Sequence, residues 1–167
     1  QVLTHEGELV ESFYYSTSGG YNGGARVWNG TASAADDYLI ETGEELYASG
    51  DEEGELAYQQ YIDHGNEEDI EYHEAWYRWS YARPLEGKVV GTFLQKLYDL
   101  SLAQPDTVRI RSRYLSSDQL PKEGAVRDIR ILSRRKSGMA AGIMIETEHF
   151  RVSVMSQYAI RQALGCA

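Results

Sequence analysis

The sequence contains one cysteine, three prolines and no long apolar run among its 167 residues. Cys166 has no second thiol to pair with, which excludes an internal disulfide and a cage of cysteine thiolates around a metal. No apolar run reaches the length of a membrane-spanning helix. The sequence also lacks a glycine-rich phosphate loop followed by lysine, a nucleophile elbow and a His-Glu-x-x-His pattern. It therefore has no signature of the common nucleotide-binding, esterase or zinc-protease classes.

Positive charge is missing from one long segment of the chain. Residues 36–74 carry 15 of the 26 acidic residues and no lysine or arginine, whereas residues 75–167 carry 15 basic and 8 acidic residues. The formal net charge is −10. An acidic chain of this kind is a poor general binder of nucleic acid, and we expect no nucleic-acid partner.

The basic side chains of the last third leave three interpretations open. Arg109, Arg111 and Arg113 alternate along a predicted strand, and a basic run follows at 134–136. These side chains could bind phosphates, carboxylates or the protein's own acidic segment. We favour the acidic segment as their partner.

Hydrophobic periodicity predicts an α+β fold, with an antiparallel β-sheet and surface helices in a single domain over residues 1–167. Residues 1–18 are typical of a β-hairpin that turns at a short polar stretch. Residues 31–48 are predicted to be helical in part, with Ser33 as the N-cap. The acidic segment 36–74 retains enough apolar residues for short surface helices, so we interpret it as a helical insertion.

The second half of the chain has the clearest periodicity. Residues 105–167 are predicted to be basic and rich in strands, with a tight turn at Ser137. Ser156 is the expected N-cap of a closing helix, and Gly165 marks the end of that helix. Before these strands, apolar residues at i, i+3, i+4, i+7 and i+8 predict a helix that ends before Pro105, and they are Val90, Phe93, Leu94, Leu97 and Tyr98.

The stretch SFYYSTSGGYNGG, residues 12–24, places hydroxyl side chains directly before two glycine pairs. Ser16, Thr17 and Ser18 have no evident base partner in the sequence, so a nucleophilic site is disfavoured. A turn or a ligand-contacting loop is the preferred interpretation.

Two further groups have a functional and a structural interpretation. Aromatic residues crowd positions 76–81 and could stack on sugar rings, but such residues more often fill a core or a seam, which we favour. His64 and His73 lie among acidic residues that could hold a cation. The acidic run lacks the spacing of an EF-hand, so a solvated acidic face is the preferred interpretation.

Three segments in collinear order resemble the SpoIID/LytB domain, which is the domain of stage II sporulation protein D and of the amidase enhancer. The segments are YYSTSGGYNGGARVW near the start, RKSGMAAGIMI far downstream and QYAIRQALG near the end. The resemblance covers nearly the whole chain. It implies a set of substrate-binding residues, which are Tyr15, Ser16, Thr17, Ser18, Gly19, Gly20, Trp28, Arg134, Ser137 and Arg161.

The resemblance implies remodelling of peptidoglycan in the extracytoplasmic cell envelope of a bacterium, and a membrane anchor in the full-length protein is compatible with it. The implied reaction is lytic transglycosylation of glycan strands already stripped of stem peptides. One carboxyl group first protonates the glycosidic oxygen, and as a carboxylate it then helps the C6 hydroxyl of muramic acid to attack the anomeric carbon. Such a strand exposes a lactyl carboxylate on each muramic residue. The basic C-terminal half could pair with these carboxylates, while residues 16–20 supply backbone and hydroxyl contacts.

The sequence departs from the family pattern in two ways. Metal-binding members have His and Cys where this chain has Tyr15 and Ser18, so we expect no zinc and no other cofactor. The family's catalytic Glu lies in a helix upstream of the Ser-Thr-Ser-Gly-Gly motif, and no such pattern precedes the motif here. Because the chain starts at Gln1 with no leader and no initiating methionine, we interpret it as a trimmed or processed piece of a longer protein. The catalytic residue therefore stays unassigned, and whether this chain is an enzyme stays open.

Two functions of other classes remain compatible with the sequence. A non-catalytic enhancer would bind a cell-wall amidase and stimulate it. A protein-interaction module would bind another protein through its tyrosines and acidic segment, and it would have no affinity for glycan.

Overall fold

The computed structural model describes residues 2–10, 20–25, 27, 38–75, 77–78, 80–82 and 84–165. The chain divides into two compact units. The first unit comprises Gln1–Tyr81 and Arg135–Gly138, and the second comprises Ala82–Arg134 and Met139–Ala167. The helices and antiparallel sheets of these units confirm the predicted α+β class.

The first unit is built from short elements and one helix. Strands β1 (Thr4–His5) and β2 (Glu8–Leu9) pair in antiparallel fashion and place a turn between His5 and Glu8. Residues 11–18 of the predicted hairpin lie outside the described residues. A 3-10 turn covers Glu45–Ala48, and helix α1 covers Glu52–His64.

Helix α1 begins where the acidic sequence favours a helix start. Asp51 is its N-cap and accepts a 2.9 Å hydrogen bond from the N–H of Gly54, and the three acidic residues of the first turn suit the positive end of the helix dipole. This helix lies in the predicted insertion, 36–74. The helix predicted in part over 31–48 is present in the described residues only as the 3-10 turn, and its predicted cap, Ser33, lies outside them.

Two helices of the second unit match their predictions. They are α2 (Lys88–Ala103) and α3 (Gln157–Leu164). Ser156 caps α3 by accepting a hydrogen bond from a backbone N–H one turn ahead, and Gly165 ends it in the left-handed conformation that glycine adopts without strain. Four residues of the predicted apolar stripe of α2 are buried, and they are Val90, Phe93, Leu94 and Leu97.

Four antiparallel strands form the sheet of the second unit, in the order β3-β6-β5-β4. A 3-10 turn at Ser117–Lys122 lies between β3 and β4. The order leaves β3 and β4 as the edge strands. The strands are β3 Val108–Ser112, β4 Asp128–Arg134, β5 Ala140–Glu146 and β6 Phe150–Val154.

The core of the second unit lies between one face of the sheet and the two helices. Strand β3 alternates as predicted, because Val108 is buried while Arg109 and Arg111 are exposed on the opposite face. Burial of each large apolar side chain stabilises the fold by about 1.5–3 kcal/mol. The largest of these buried side chains are Phe150, Leu94, Leu97, Leu120, Ile145, Val90, Val108, Val152 and Val154.

Among the described residues, no helix combines the length and the apolar character that crossing a membrane requires.

Candidate functional site

The predicted site residues fall in different parts of the chain. Gly20 and Ser137 lie in the first unit, whereas Arg134 ends β4 and Arg161 lies on α3 in the second unit. The remaining predicted site residues lie outside the described residues, and they are Tyr15, Ser16, Thr17, Ser18, Gly19 and Trp28.

Residues 41–44, within the acidic segment 36–74, form hydrogen bonds with residues next to both sequence motifs of the first unit. On one side, Thr42 donates its backbone N–H to the carbonyl of Asn22 at 3.0 Å, and the Thr42 hydroxyl accepts the N–H of Asn22 at 2.8 Å. On the other side, the N–H of Glu44 donates to the carbonyl of Lys136 at 2.8 Å. The segment after the Ser-Thr-Ser-Gly-Gly motif and the turn that contains Ser137 are therefore held by the same stretch of backbone.

Ser137 is buried and bonds to a carboxylate far away in the sequence. Its hydroxyl donates a 2.6 Å hydrogen bond to Oε1 of Glu41, and Arg135 lies 3.6 Å from Oε2 of the same carboxylate. A hydroxyl and a guanidinium on the two oxygens fix the Glu41 side chain, which is only 17% exposed. This pairing also confirms, for Arg135, the predicted ion pair with the acidic segment, and Lys136 forms a second one, 3.8 Å from Glu45.

Two motif glycines pack against tyrosines on one face of α1. A side chain at Gly138 would overlap the ring of Tyr58, and one at Gly20 would meet the hydroxyl of Tyr61 and the carboxylate of Asp69. Tyr58 and Tyr61 are three residues apart, so they are neighbours on the helix surface. Only glycine lets the backbone of both motifs approach the helix this closely.

The tyrosines that receive these glycines belong to a larger group, the tyrosine cluster, which consists of Tyr21, Tyr47, Tyr58 and Tyr61. The ring centroids of Tyr21 and Tyr61 are 5.0 Å apart, and those of Tyr47 and Tyr58 are 5.4 Å apart in an edge-to-face arrangement. Tyr47 also lies 5.7 Å from Tyr61. Aromatic pairs at such distances stabilise a fold beyond the area they bury.

Two phenols of the cluster, those of Tyr21 and Tyr61, have raised pKa values. Burial and the 3.1 Å hydrogen bond to Glu44 together raise the pKa of Tyr21 from 10.0 to about 12. Burial also raises the pKa of Tyr61 to about 12, against the opposing effect of Arg78. Both phenols therefore keep their protons at pH values where an ordinary tyrosine begins to ionise.

Arg78, in the aromatic segment 76–81, contacts α1. Its guanidinium lies 4.0 Å from the ring centroid of Tyr61 and 4.8 Å from that of Tyr77, and it donates to the backbone carbonyl of Tyr61. It also lies 3.8 Å from the carboxylate of Asp69, which accepts a hydrogen bond from the hydroxyl of Tyr77. Tyr77 thus packs in a seam, in agreement with the structural interpretation of this segment, while Trp76 and Trp79 lie outside the described residues.

The histidines of the acidic segment make ordinary local contacts. His64 Nδ1 lies 2.8 Å from the backbone carbonyl of Gln60 in its own helix, and the ring of His73 packs 5.1 Å from that of Tyr72. Within the described part of the chain, no group of three or more His, Cys, Asp or Glu side chains is placed to hold a metal ion.

Polar groups beside the tyrosine cluster form hydrogen bonds at the solvent-exposed surface. Tyr21, Asn22 and Thr42 make solvent-exposed hydrogen bonds through a phenol, an amide N–H and a hydroxyl, respectively. The phenol and the hydroxyl can both donate and accept hydrogen bonds, whereas the amide N–H can only donate.

Sequence reasoning missed several members of this site. Glu41, Asp69 and the two α1 tyrosines stand in an acidic, tyrosine-rich segment whose composition indicates a solvated surface. No local pattern marks these residues as partners of the motif glycines. Their role depends on contacts between residues far apart in the chain, which periodicity does not report.

Comparison of the chain with protein-family models, with curated proteins and with solved structures gave no significant match.

Proposed function

We propose that this protein remodels peptidoglycan by binding denuded glycan strands, either as a lytic transglycosylase or as the substrate-binding core of one. The proposal combines the ordered motifs of the sequence with one feature of the first unit. Gly20, from the first motif, and Gly138, from the second, pack against neighbouring tyrosines of α1. Two motifs separated by more than a hundred residues thereby form one structural unit, as expected if both contribute to a single site.

The chemistry of the denuded strand suits the groups around this site. Sugar hydroxyls and N-acetyl amides need donors and acceptors in a fixed arrangement. The hydrogen bonds of Asn22 with Thr42 and of Tyr21 with Glu44 hold the backbone after the first motif in place. A preorganised surface binds with a smaller loss of conformational entropy than a mobile one.

The reaction that we propose for such a strand is an internal displacement. A carboxylic acid protonates the glycosidic oxygen, the bond to the anomeric carbon breaks, and the C6 hydroxyl of the muramic residue closes an anhydro ring as it gives up its proton to the same carboxylate. The role of Glu41 is structural, because Ser137 and Arg135 already occupy both of its oxygens.

The first test is co-sedimentation of the protein with insoluble glycan. We expect retention on glycan stripped of stem peptides and little retention on the same material with its peptides intact. Thr17→Phe fills the first motif with a bulky ring and should weaken retention by about tenfold or more, equal to roughly 1.4 kcal/mol of binding free energy. Thr92→Phe, at an exposed position of α2, is the matched control and should bind as the wild type does.

The second test is product analysis after incubation with denuded glycan. Saccharides with anhydro-muramic ends support the enzyme. Binding without such products, together with faster turnover by a cell-wall amidase, supports the non-catalytic enhancer. A wild-type protein that shows no affinity for the denuded strand contradicts the proposal.

A further inference from the structure

The outer face of the second unit's sheet carries four arginines on three strands. Strand register places Arg111 directly opposite Arg151, and Arg109 opposite Ser153. Between β6 and β5, Arg151 lies opposite Glu146. Between β4 and β5, Arg130 lies opposite Met144. All of these residues share one face because side chains alternate along each strand.

The arginines of this face differ in how well they are paired. Oε1 of Glu146 forms ion pairs with two arginines. It lies 2.7 Å from a guanidinium nitrogen of Arg130 and 2.9 Å from one of Arg151. Among the described residues of the second unit, no acidic side chain lies within ion-pair distance of Arg111 or of Arg113. Both of these arginines are exposed.

The pairing of Arg111 with Arg151 is unfavourable for folding. Like charges directly opposite each other on an antiparallel pair destabilise the sheet. Glu146 compensates Arg151 and forms no ion pair with Arg111, so among the described residues the arginine row retains excess positive charge on a protein of net charge −10. A ligand that carries negative charge would supply the missing partner.

Arg111 and Arg113 line an open groove of about 540 Å³, which we call the arginine groove. Arg127 and Arg151 line it as well, together with the carboxylates of Glu146 and Glu148. The groove is lined by Arg111, Ser112, Arg113, Arg127, Glu146, Thr147, Glu148, His149, Phe150 and Arg151.

A tight turn between β5 and β6 forms one wall of the groove. The N–H of Phe150 donates to the Thr147 hydroxyl at 3.1 Å, and the N–H of Thr147 donates to the carbonyl of Phe150 at 3.0 Å. Glu123, which is 9% exposed, accepts from the N–H of Glu148 at 3.2 Å and lies 2.8 Å from Nδ1 of His149. The wall is therefore fixed by hydrogen bonds before any ligand arrives.

We infer that the arginine groove binds the lactyl carboxylates of a denuded glycan strand, with Arg111 and Arg113 as the carboxylate partners. This inference rests on the proposed function and names a second contact surface for the same substrate. Guanidinium groups bind carboxylates through two parallel hydrogen bonds. Glu146 and Glu148 can accept hydrogen bonds from sugar hydroxyls and amide N–H groups in the intervals between carboxylates.

The mixture of charges in the groove favours a sparsely charged polymer over a dense one. A phosphodiester polymer carries a charge on every repeat and would bring phosphates close to Glu146 and Glu148, which repel them. A glycan whose carboxylates occur only on alternate sugars can place each anion at an arginine and leave the two glutamates to neutral groups.

The test measures the affinity of the full chain for three soluble polymers, which are denuded glycan, the same glycan with its carboxylates converted to methylamides, and a glycerol-phosphate polymer. We expect the methylamide form to bind about tenfold more weakly, because charge-assisted hydrogen bonds are lost. The double variant Arg111→Gln/Arg113→Gln should bind the natural glycan more weakly by a similar factor. Its affinity should be the same for the natural glycan and for the methylamide form.

Two variants serve as controls for charge and for folding. Lys88→Gln/Lys122→Gln removes the same charge at exposed positions outside the groove and should bind as the wild type does. Arg111→Lys/Arg113→Lys keeps the charge without the bidentate geometry and should recover part of the affinity. Circular dichroism of each variant verifies the fold.

The outcomes separate this inference from the proposed function. Wild-type binding that the Arg→Gln pair leaves unchanged, or that methylamidation leaves unchanged, overturns the role of the groove while the proposed function stands. Preference for the glycerol-phosphate polymer overturns the choice of ligand. Absence of wild-type binding to any glycan overturns the proposed function, and this inference with it.

Discussion

The hydroxyl of Ser137 donates a 2.6 Å hydrogen bond to the carboxylate of Glu41, which stands 96 positions earlier in the chain. The bond joins the segment Arg135–Gly138 to the acidic segment 36–74, and both segments belong to the first unit. A motif serine and an acidic residue from a segment with the composition of a solvated surface thus form one partly buried hydrogen bond, and this bond leads to the first prediction.

Ser137→Ala should lower the free energy of unfolding by about 1–2 kcal/mol, because a hydrogen bond to a charged group is lost in a buried place. Glu41→Gln should also destabilise the protein, and the double variant should lose less than the sum of the two. Chemical denaturation of all four proteins measures this coupling. Glu45→Gln removes an exposed ion pair and should change stability by less than about 0.5 kcal/mol. Additive losses at Ser137 and Glu41 would contradict the direct interaction.

Gly138→Ala should destabilise the first unit by at least ~2 kcal/mol. Its φ of 80° lies in the left-handed region, where a side chain costs energy, and the added methyl group would overlap the ring of Tyr58. Gly91→Ala is the matched control, because Gly91 lies within α2 and nothing surrounds its Cβ position. Alanine there should stabilise the helix by about 0.5–1 kcal/mol. Equal unfolding midpoints for the two variants would contradict this account of the turn.

Alkaline pH should destabilise the protein, because phenols of the tyrosine cluster ionise there. Tyr21 and Tyr61 have pKa values raised from 10.0 to about 12, so the folded state keeps protons that the unfolded chain releases above pH 10. Their contribution to stability is present below pH 10 and is lost as the pH rises from 10 towards 12.

Absorbance of the phenolate measures this titration directly. Tyr21 and Tyr61 should ionise above the ordinary tyrosine pKa of 10.0. Tyr21→Phe should remove one group from the late part of the absorbance curve. A single common transition for every tyrosine would disagree with the packing of the cluster.

Acid should weaken the wall of the arginine groove. Burial acts to raise the pKa of Glu123, but hydrogen bonds from His149 and Thr147 outweigh it, and the pKa lies below its usual 4.5. The contribution of Glu123 to stability is therefore present above pH 4.5 and is lost as the pH falls through the lower, folded-state pKa.

Glu123→Gln should reduce the dependence of unfolding free energy on pH in that acidic range. Glu148→Gln is the control, because its ion pair with Arg127 is exposed on both sides and contributes little. Denaturation curves recorded at several acidic pH values give the comparison. Parallel pH profiles for wild type and Glu123→Gln would show that the buried carboxylate is not the group responsible.

The local sequence pattern was sufficient to predict much of the secondary structure of the second unit. The stripe on α2 was evident because the spacing of Val90, Leu94 and Leu97 follows the helix period, and burial on one face needs nothing else. Ser156 and Gly165 could be identified as helix ends from side-chain and backbone chemistry within a few residues. The outward arginines of β3 followed from alternation alone.

The candidate site was predictable only in part. Ser137 was selected as a site residue from its motif, but its partner Glu41 was not, because the acidic run around Glu41 has the composition of a solvated face. Arg109, Arg111 and Arg113 were expected to meet acidic partners, and the described residues of the second unit provide none for them. Charge along the sequence does not reveal which side chains meet in space.

The sequence by itself determined where the helices and strands of the second unit lie, because propensity, periodicity and capping act over a few neighbouring residues. The tertiary structure decided that Gly20 and Gly138 pack on tyrosines of one helix, and that Arg111 faces Arg151 across two strands. These contacts join residues distant in the chain, and the chain pays their loop-closure entropy only when the whole core can form. No short stretch of sequence contains that information.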